Sequence, residues 1–336
     1  MKRINFRSLE EIELVEGTEP QIKYPDDVKI RVDYCALCAD DFAFFGDPIR
    51  NKKQSRYVGQ LFAGTITEIG SASGTMDFVV GDRVSGYIWT FCGKCPYCRR
   101  GMENLCINNV STGGALQEYI VLKDQQICVL PENIPSVTGC LSADVASCMH
   151  GIQRTDVGFG DHVLILGAGG IGLLMLQLAK MRGATVTVSE PIETRRLLAT
   201  RLGADYVLDS NSDAEYLDAM NITNYLGYDV IIDACRNIDA VASAFAMLGR
   251  GGKILMNSFY DVGSTLSIDL SMLYAKECSI MSSFMAPYLL PAVMEVLPKL
   301  RLHDIVGKVF PMEETKEAVE CALQKKYPRV VIKVSN

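Results

Sequence analysis

A chain of 336 residues, 49% hydrophobic and 22% charged, is long enough for about two domains with sizeable cores. That composition excludes disorder, collagen-like repeats and coiled coil, and a net charge of −7 excludes the dense basic patch of a nucleic-acid binder. No apolar run reaches the roughly 18 residues of a membrane span, and the polar opening MKRINFRSLEEIELVEG lacks a signal core, so a cytoplasmic protein with no membrane partner is expected. In the first half, VKIRVDYC, FAGTITEIG, GDRVSGYIW and LQEYIVLK read as short strands between Gly and Asp turns, which suggests a small β-barrel. After about residue 145 strands alternate with helices. HVLIL is a buried strand, IGLLMLQLAKMRG a helix closed by Gly183, TVTVSE a strand and ETRRLLATRLG a helix closed by Gly203. YVLD, YDVIIDAC, the helix AVASAFAMLG and GGKILMNSF continue the alternation, which means right-handed crossovers and a parallel doubly wound sheet. Beyond Phe284 the helix PAVMEVLPKL, the stretch VGKVF, the helix MEETKEAVECALQKK and a last strand RVVIKV make a tail too short for a domain. It is expected to fold back on the first half.

Four of the twelve cysteines crowd into fifteen residues as Cys92, Cys95, Cys98 and Cys106. The spacing C-x2-C-x2-C-x7-C lets four thiolates converge on one ion and close a tetrahedral zinc site with no open position. Such a site is architectural, and one structural zinc per chain is expected. Free thiols without a metal are the plainer alternative, and the density of the cluster argues against it.

Gly167-Ala168-Gly169-Gly170-Ile171-Gly172 is a GxGxxG that leaves an apolar strand and opens a helix. The first glycine allows the tight turn, the second lets backbone approach a pyrophosphate, and the third lets helix pack on sheet. A glycine-rich turn without a ligand is the alternative. Glu190 ends the next strand 23 residues after Gly167, where an acid binds ribose hydroxyls and repels a 2′-phosphate. NAD(H) is therefore favoured, with NADP(H) left open. Arg195 lies a turn further on and reads either as a phosphate contact or as a solvated helix face; Asp233 and Ala234, ending YDVIIDAC, complete the candidate cofactor set.

GDRV at 81–84, the four-cysteine lobe, GGALQEY at 113–119 and the GAGGIG loop occur in one order. Together they make nearly the whole chain resemble the medium-chain dehydrogenase/reductase superfamily, in its zinc-type alcohol and polyol dehydrogenase branch. The resemblance implies an α/β chain with a GroES-like β-barrel catalytic domain over 1–145, its zinc lobe at about 89–110. It further implies a Rossmann domain over 146–284, a segment 285–336 returning to the first domain, and a homodimer or homotetramer. It also implies a catalytic zinc, and there the residues depart from the pattern. The family's Cys-Gly-Ser/Thr-Asp turn reads Cys38-Ala39-Asp40-Asp41, keeping the first ligand and replacing the relay hydroxyl by Asp40. The family's Gly-His-Glu reads Gly59-Gln60-Leu61, and the stretch holding the third ligand reads Ala143-Asp144-Val145, with the acid one position off. One thiolate, one amide and a displaced carboxylate make a poor set for a catalytic zinc.

Without that Lewis acid, reduction of an activated C=C is the chemistry the resemblance leaves, because an enolate needs only hydrogen-bond donors and a proton source. The candidate groups are Cys38, Asp40, Tyr57 and Gln60. His150 matches a family position on a helix lining the cofactor cleft, and reads otherwise as a structural histidine. The expected substrate is a small molecule or peptide: an enone, an enoyl derivative, or a dehydroamino acid such as dehydroalanine. A zinc dehydrogenase with an unusual ligand set and a non-catalytic dinucleotide binder are the alternatives. Phe42, Phe44, Phe45 and Tyr57 suggest an apolar pocket wall, and Arg50, Lys52, Lys53 and Arg56 a contact for an anionic substrate or a solvated loop.

Overall fold

The computed structural model describes residues 1–38, 41, 58–71 and 78–335. These fall into two units, Met1–Ala146 with Met285–Asn336, and Ser147–Phe284. The first unit opens with an antiparallel hairpin of β1 (Lys2–Phe6) and β2 (Ile12–Glu16). The alternating stretch DVKIRVDYCAL becomes β3 (Asp27–Leu37), the spine of the unit's main sheet, with β4 (Leu61–Ile69) along one edge. β5 (Arg83–Gly86) pairs with β4. The short β6 (Trp89–Thr90) and β7 (Val110–Ser111) pair with each other around the cysteine lobe. β8 (Tyr119–Lys123) takes the first half of the other edge of β3, and β9 (Ile127–Val129) closes on β5. Phe6, Ile30, Phe62, Ile66, Leu116 and Ile127 fill the core between them.

GDRVSGYIW is not one strand. The chain breaks at Gly86, where a Cβ would lie 2.0 Å from the Gln126 carbonyl oxygen. Fully buried Gln126 then donates its Nε2 hydrogens to the carbonyls of Tyr87 (2.9 Å) and Trp89 (3.0 Å), taking the acceptors a continuous ladder would use.

The second unit is a six-stranded sheet, parallel throughout: β10 (His162–Leu166), β11 (Thr185–Ser189), β12 (Tyr206–Leu208), β13 (Tyr228–Asp233), β14 (Leu248–Met256) and β15 (Ser279–Ser282). Their order is β12-β11-β10-β13-β14-β15. The sequence order therefore reverses between β10 and β13, and ligands bind at the carboxyl ends of strands at such a switch point. Helices Gly170–Met181, Glu193–Arg201, Glu215–Ile222 and Ile238–Ala244 make the crossovers. The apolar run AVASAFAMLG is helical only to Ala244, and Phe245–Met247 is a 3-10 turn. Leu248 already belongs to β14, where it pairs with Tyr228, because Gly227 at φ +83° brings the chain against Gly249. Tertiary pairing there overrides helical periodicity.

The segment after Met285 returns to the first unit. β16 (Val306–Pro311), the helix Thr315–Leu323 and β17 (Arg329–Lys333) pack there, with β17 antiparallel to the second half of β3 from Tyr34 to Leu37. The architecture is α/β, a GroES-like barrel domain with a doubly wound parallel domain. Among the described residues no helix is long and apolar enough to cross a membrane.

Candidate functional sites

The glycine loop sits at the carboxyl end of β10. Gly167 has φ +100°, and a Cβ on Gly172 would stand 1.9 Å from the Gly167 carbonyl oxygen, so helix and strand pack too closely for any side chain there. Gly169 is different. It caps the helix Gly170–Met181 at φ −76°, and a Cβ built on it meets nothing within 4 Å. The protein does not need that glycine for its own packing. A backbone left bare beside a helix N-terminus, where N–H groups converge, is a cradle for a pyrophosphate. Gly170 and Ile171 form the first turn of that helix, and the Ile171 carbonyl accepts the Cys148 thiol at 3.8 Å.

Glu190 ends β11 and is 3% exposed. Its Oε2 accepts the Ala168 N–H at 2.7 Å and its Oε1 the Ile192 N–H at 3.0 Å, so the acid also anchors the loop it stands beside. A carboxylate offers about four lone-pair sites, which leaves capacity for ribose hydroxyls. Neither arginine after it is a solvated face. Arg195 lies 4.0 Å from Glu190 Oε2, and burial, opposed by that carboxylate, lowers its guanidinium pKa. Arg196 donates to the carbonyls of Glu190 and Pro191 and pairs with Asp209 at 3.1 Å. Asp233 is fully buried: Oδ1 accepts the backbone N–H of Cys235 and of Arg236, and Oδ2 the Tyr260 hydroxyl at 2.9 Å. Its carboxylate shapes the loop after β13. Ala234 borders the glycine turn, with its N–H on the Leu166 carbonyl.

In the first unit, the ligand atoms of Cys92, Cys95, Cys98 and Cys106 lie within 4.8 Å of one another. A zinc tetrahedron with bonds of about 2.3 Å has sulfur–sulfur edges of about 3.8 Å, so the cluster needs only slight contraction. Hydrogen bonds from the Asn108 amide and from backbone N–H groups push the Cys92 thiol down to about 6, while burial pushes Cys98 up to about 12. Four thiolates this close coexist only around a cation, which deprotonates all of them. The lobe is tied to the C-terminal segment: Phe91 meets Tyr288 edge-on at 5.6 Å, and the buried Glu103 carboxylate accepts the Tyr288 N–H.

Cys38 and Gln60 are brought together. Asp41, 4% exposed, accepts the N–H of Cys38 at 2.9 Å and of Gly59 at 3.1 Å, clamping the end of β3 to the start of β4. Gln60 Nε2 then approaches Cys38 Sγ at 4.0 Å, and Gln60 Oε1 accepts the Trp89 Nε1–H at 3.4 Å. Asp144 is engaged elsewhere, in a buried ion pair with Arg329, whose guanidinium also donates to the Leu37 carbonyl. Burial raises the Asp144 carboxyl and Arg329 opposes that rise. His150 stands half-buried on the helix Ser142–Thr155 in the second unit, its imidazole lowered by burial and then by Arg154. Asp40 and Tyr57, with Phe42, Phe44, Phe45, Arg50, Lys52, Lys53 and Arg56, lie outside the described residues. Trp89, Asp41 and Arg329 also build the site, through contacts that the local sequence pattern does not mark. Trp89 carried a signal, as the only tryptophan and three residues before the first lobe cysteine.

Residues 24–132 match the alcohol dehydrogenase GroES-like domain and residues 170–299 the zinc-binding dehydrogenase domain. An L-threonine 3-dehydrogenase of Pyrococcus abyssi is 32% identical over 78% of this chain and 76% of its own. The chain belongs to the medium-chain dehydrogenase/reductase superfamily. It is an NAD(P)-dependent oxidoreductase of the zinc-type alcohol dehydrogenase-like kind. A D-arabitol-phosphate dehydrogenase of Enterococcus avium is 26% identical over 91% of this chain and 90% of its own. A zinc-binding dehydrogenase of Sinorhizobium meliloti 1021, solved with NADP bound, superposes with a TM-score of 0.87 at 25% identity, covering 99% of this chain and 98% of that one.

The residues of this dehydrogenase/reductase fit two groups that the family uses. The open face of Gly169, the helix N-terminus and Glu190 fit a dinucleotide, and the four clustered sulfurs fit a structural zinc. The donors at Cys38 and Gln60 fit a catalytic zinc poorly. A neutral amide ligates only through its oxygen, more weakly than an imidazole, and one lone pair of that oxygen accepts the Trp89 N–H; Asp144 is held by Arg329.

Proposed function

We propose that this oxidoreductase reduces an activated C=C bond with NAD(P)H and uses no catalytic zinc. The observation that carries the proposal is Gln60, an amide where the family has an imidazole ligand, turned so that its Nε2 hydrogens face Cys38. When bound, the reduced nicotinamide supplies hydride to the β-carbon of an alkene conjugated to a carbonyl. Gln60 donates a hydrogen bond to the carbonyl oxygen as negative charge gathers there, which is the role an amide fills in an oxyanion hole. A proton from Cys38 or Asp40 completes the saturated product at the α-carbon. The loop glycines and Glu190 hold the dinucleotide, and the buried carboxylate of Glu190 favours NAD(H) over a 2′-phosphorylated cofactor. Enones, enoyl derivatives and dehydroamino acids are the substrate classes.

A second reading has support in the relatives, one acting on a polyol phosphate and one on L-threonine: a dehydrogenase interconverting an alcohol and a ketone. One experiment separates the two. With 4-deuterated NADH and a panel of conjugated carbonyl compounds, the proposal expects deuterium at the β-carbon of a saturated ketone. Deuterium at the carbinol carbon of an allylic alcohol overturns it.

A further inference from the structure

A directed run of hydrogen bonds ends at Gln60. The Lys123 N–H donates to Gln126 Oε1 at 2.9 Å, which fixes which end of that fully buried amide is the donor. Gln126 Nε2 donates in turn to the Tyr87 and Trp89 carbonyls, and Trp89 pairs with Ser111 across β6 and β7, so the indole has a fixed backbone. The Trp89 Nε1–H donates to Gln60 Oε1 at 3.4 Å, and Gln60 Nε2 faces Cys38 Sγ at 4.0 Å.

The two ends of a glutamine amide have nearly the same shape and opposite hydrogen-bonding character. Left alone, Gln60 could offer either end to a substrate. An indole nitrogen is a donor and nothing else, so it selects the oxygen and leaves the NH2 outward. We propose that Trp89 is a positioning residue that sets the polarity of the site. It makes Gln60 a donor, suited to a carbonyl or enolate oxygen, and takes one of the two lone pairs of the only amide atom that could ligate a metal. This rests on the reading of Gln60 as the oxyanion donor given above. Trp89 need not touch the substrate to act.

Trp89 is the chain's only tryptophan, so no other indole contributes to its bands. In the substrate-free protein, the ultraviolet resonance Raman band sensitive to hydrogen bonding at the indole N–H should shift in Gln60→Leu, which removes the acceptor. An unshifted band overturns the proposal. In turnover with NADH and cyclohex-2-enone, Trp89→Phe keeps a ring and loses the N–H. Its kcat should fall about two- to tenfold, the range between an evenly flipped amide and one whose oxygen turns to the Cys38 S–H. The KM for NADH should stay put. Trp89→His restores a donor and should recover part of the rate, and it also serves where Phe disturbs the fold. A rate lost in Gln60→Ala but kept in Trp89→Phe overturns the role of Trp89 and leaves that of Gln60 standing. A rate kept in both variants overturns both.

Discussion

The glycine loop makes opposite demands at two positions three residues apart, and alanine substitution separates them. At Gly172 a Cβ would stand 1.9 Å from the Gly167 carbonyl oxygen and 2.9 Å from its carbon, both backbone atoms that cannot swing aside. More than an ångström of overlap must be relieved by moving helix Gly170–Met181 off β10, at about 3 kcal/mol or more. For a domain of this size that lowers the melting temperature by roughly 6–12 °C. At Gly169 the Cβ meets nothing and φ is −76°, so alanine is unstrained. The smaller entropy loss of the unfolded chain stabilises by about 0.4–1 kcal/mol, and alanine is a poorer helix cap than glycine by a similar amount. The apoprotein should therefore melt within roughly 4 °C of the parent. The same methyl occupies the space a pyrophosphate needs, so NADH binding should weaken at least about tenfold, or 1.4 kcal/mol. Thermal melting of the two apoproteins and a fluorescence titration with NADH read both effects. A Gly169→Ala protein that binds NADH within about twofold of the parent would exclude Gly169 from the pyrophosphate cradle, and one that melts as low as Gly172→Ala would show that Gly169 is needed for packing.

Two further outcomes follow from named contacts. Glu190→Ser strips the acceptor from the Ala168 and Ile192 N–H groups, so it should weaken NADH binding about tenfold, narrow the gap to NADPH, and lower the melting temperature; a parent enzyme that prefers NADPH about tenfold would assign the phosphate to Arg195 instead. At Asp27 burial would raise the carboxyl, but Lys123 and the N–H groups of Lys23 and Tyr24 outweigh it and hold the pKa below 3.8. A depressed carboxyl stabilises above its unfolded pKa and loses that effect as pH falls through the folded value. Asp27→Asn should therefore cost about 2 kcal/mol near neutrality, and in urea titrations the gap to the parent should close as the pH falls below the ordinary carboxylate range through the lowered folded value; a gap that stays constant through that acid range would exclude this partner set.

What the sequence disclosed was local. The sulfur cluster spans residues 92–106 and the glycine loop six residues, so spacing and turn chemistry carried both. The strand alternation was legible for the same reason, since each crossover is a short repeat of one pattern. Contacts made across the fold were not. Gln60 could be read as a lost imidazole, but its orientation depends on Trp89, 29 residues on, which reaches it only because Gln126 breaks the strand after Gly86. Asp144 reads by sequence as a displaced ligand, and only Arg329, 185 residues away on β17, shows that it belongs to a buried ion pair. Asp233 reads as a cofactor contact from its place at a strand end, and the structure adds what spacing does not show, that its carboxylate also holds its own loop and Tyr260.

Metal content distinguishes a chain with one structural zinc from one that also holds a catalytic zinc. Zinc per chain should be measured by plasma mass spectrometry on the purified protein and on two variants. One zinc per chain is expected, retained in Cys38→Ala and lost in Cys95→Ser, whose sulfur belongs to the four-thiolate cluster. Two zinc ions per chain, one of them lost in Cys38→Ala, would place a catalytic zinc at Cys38 and exclude the zinc-free reaction.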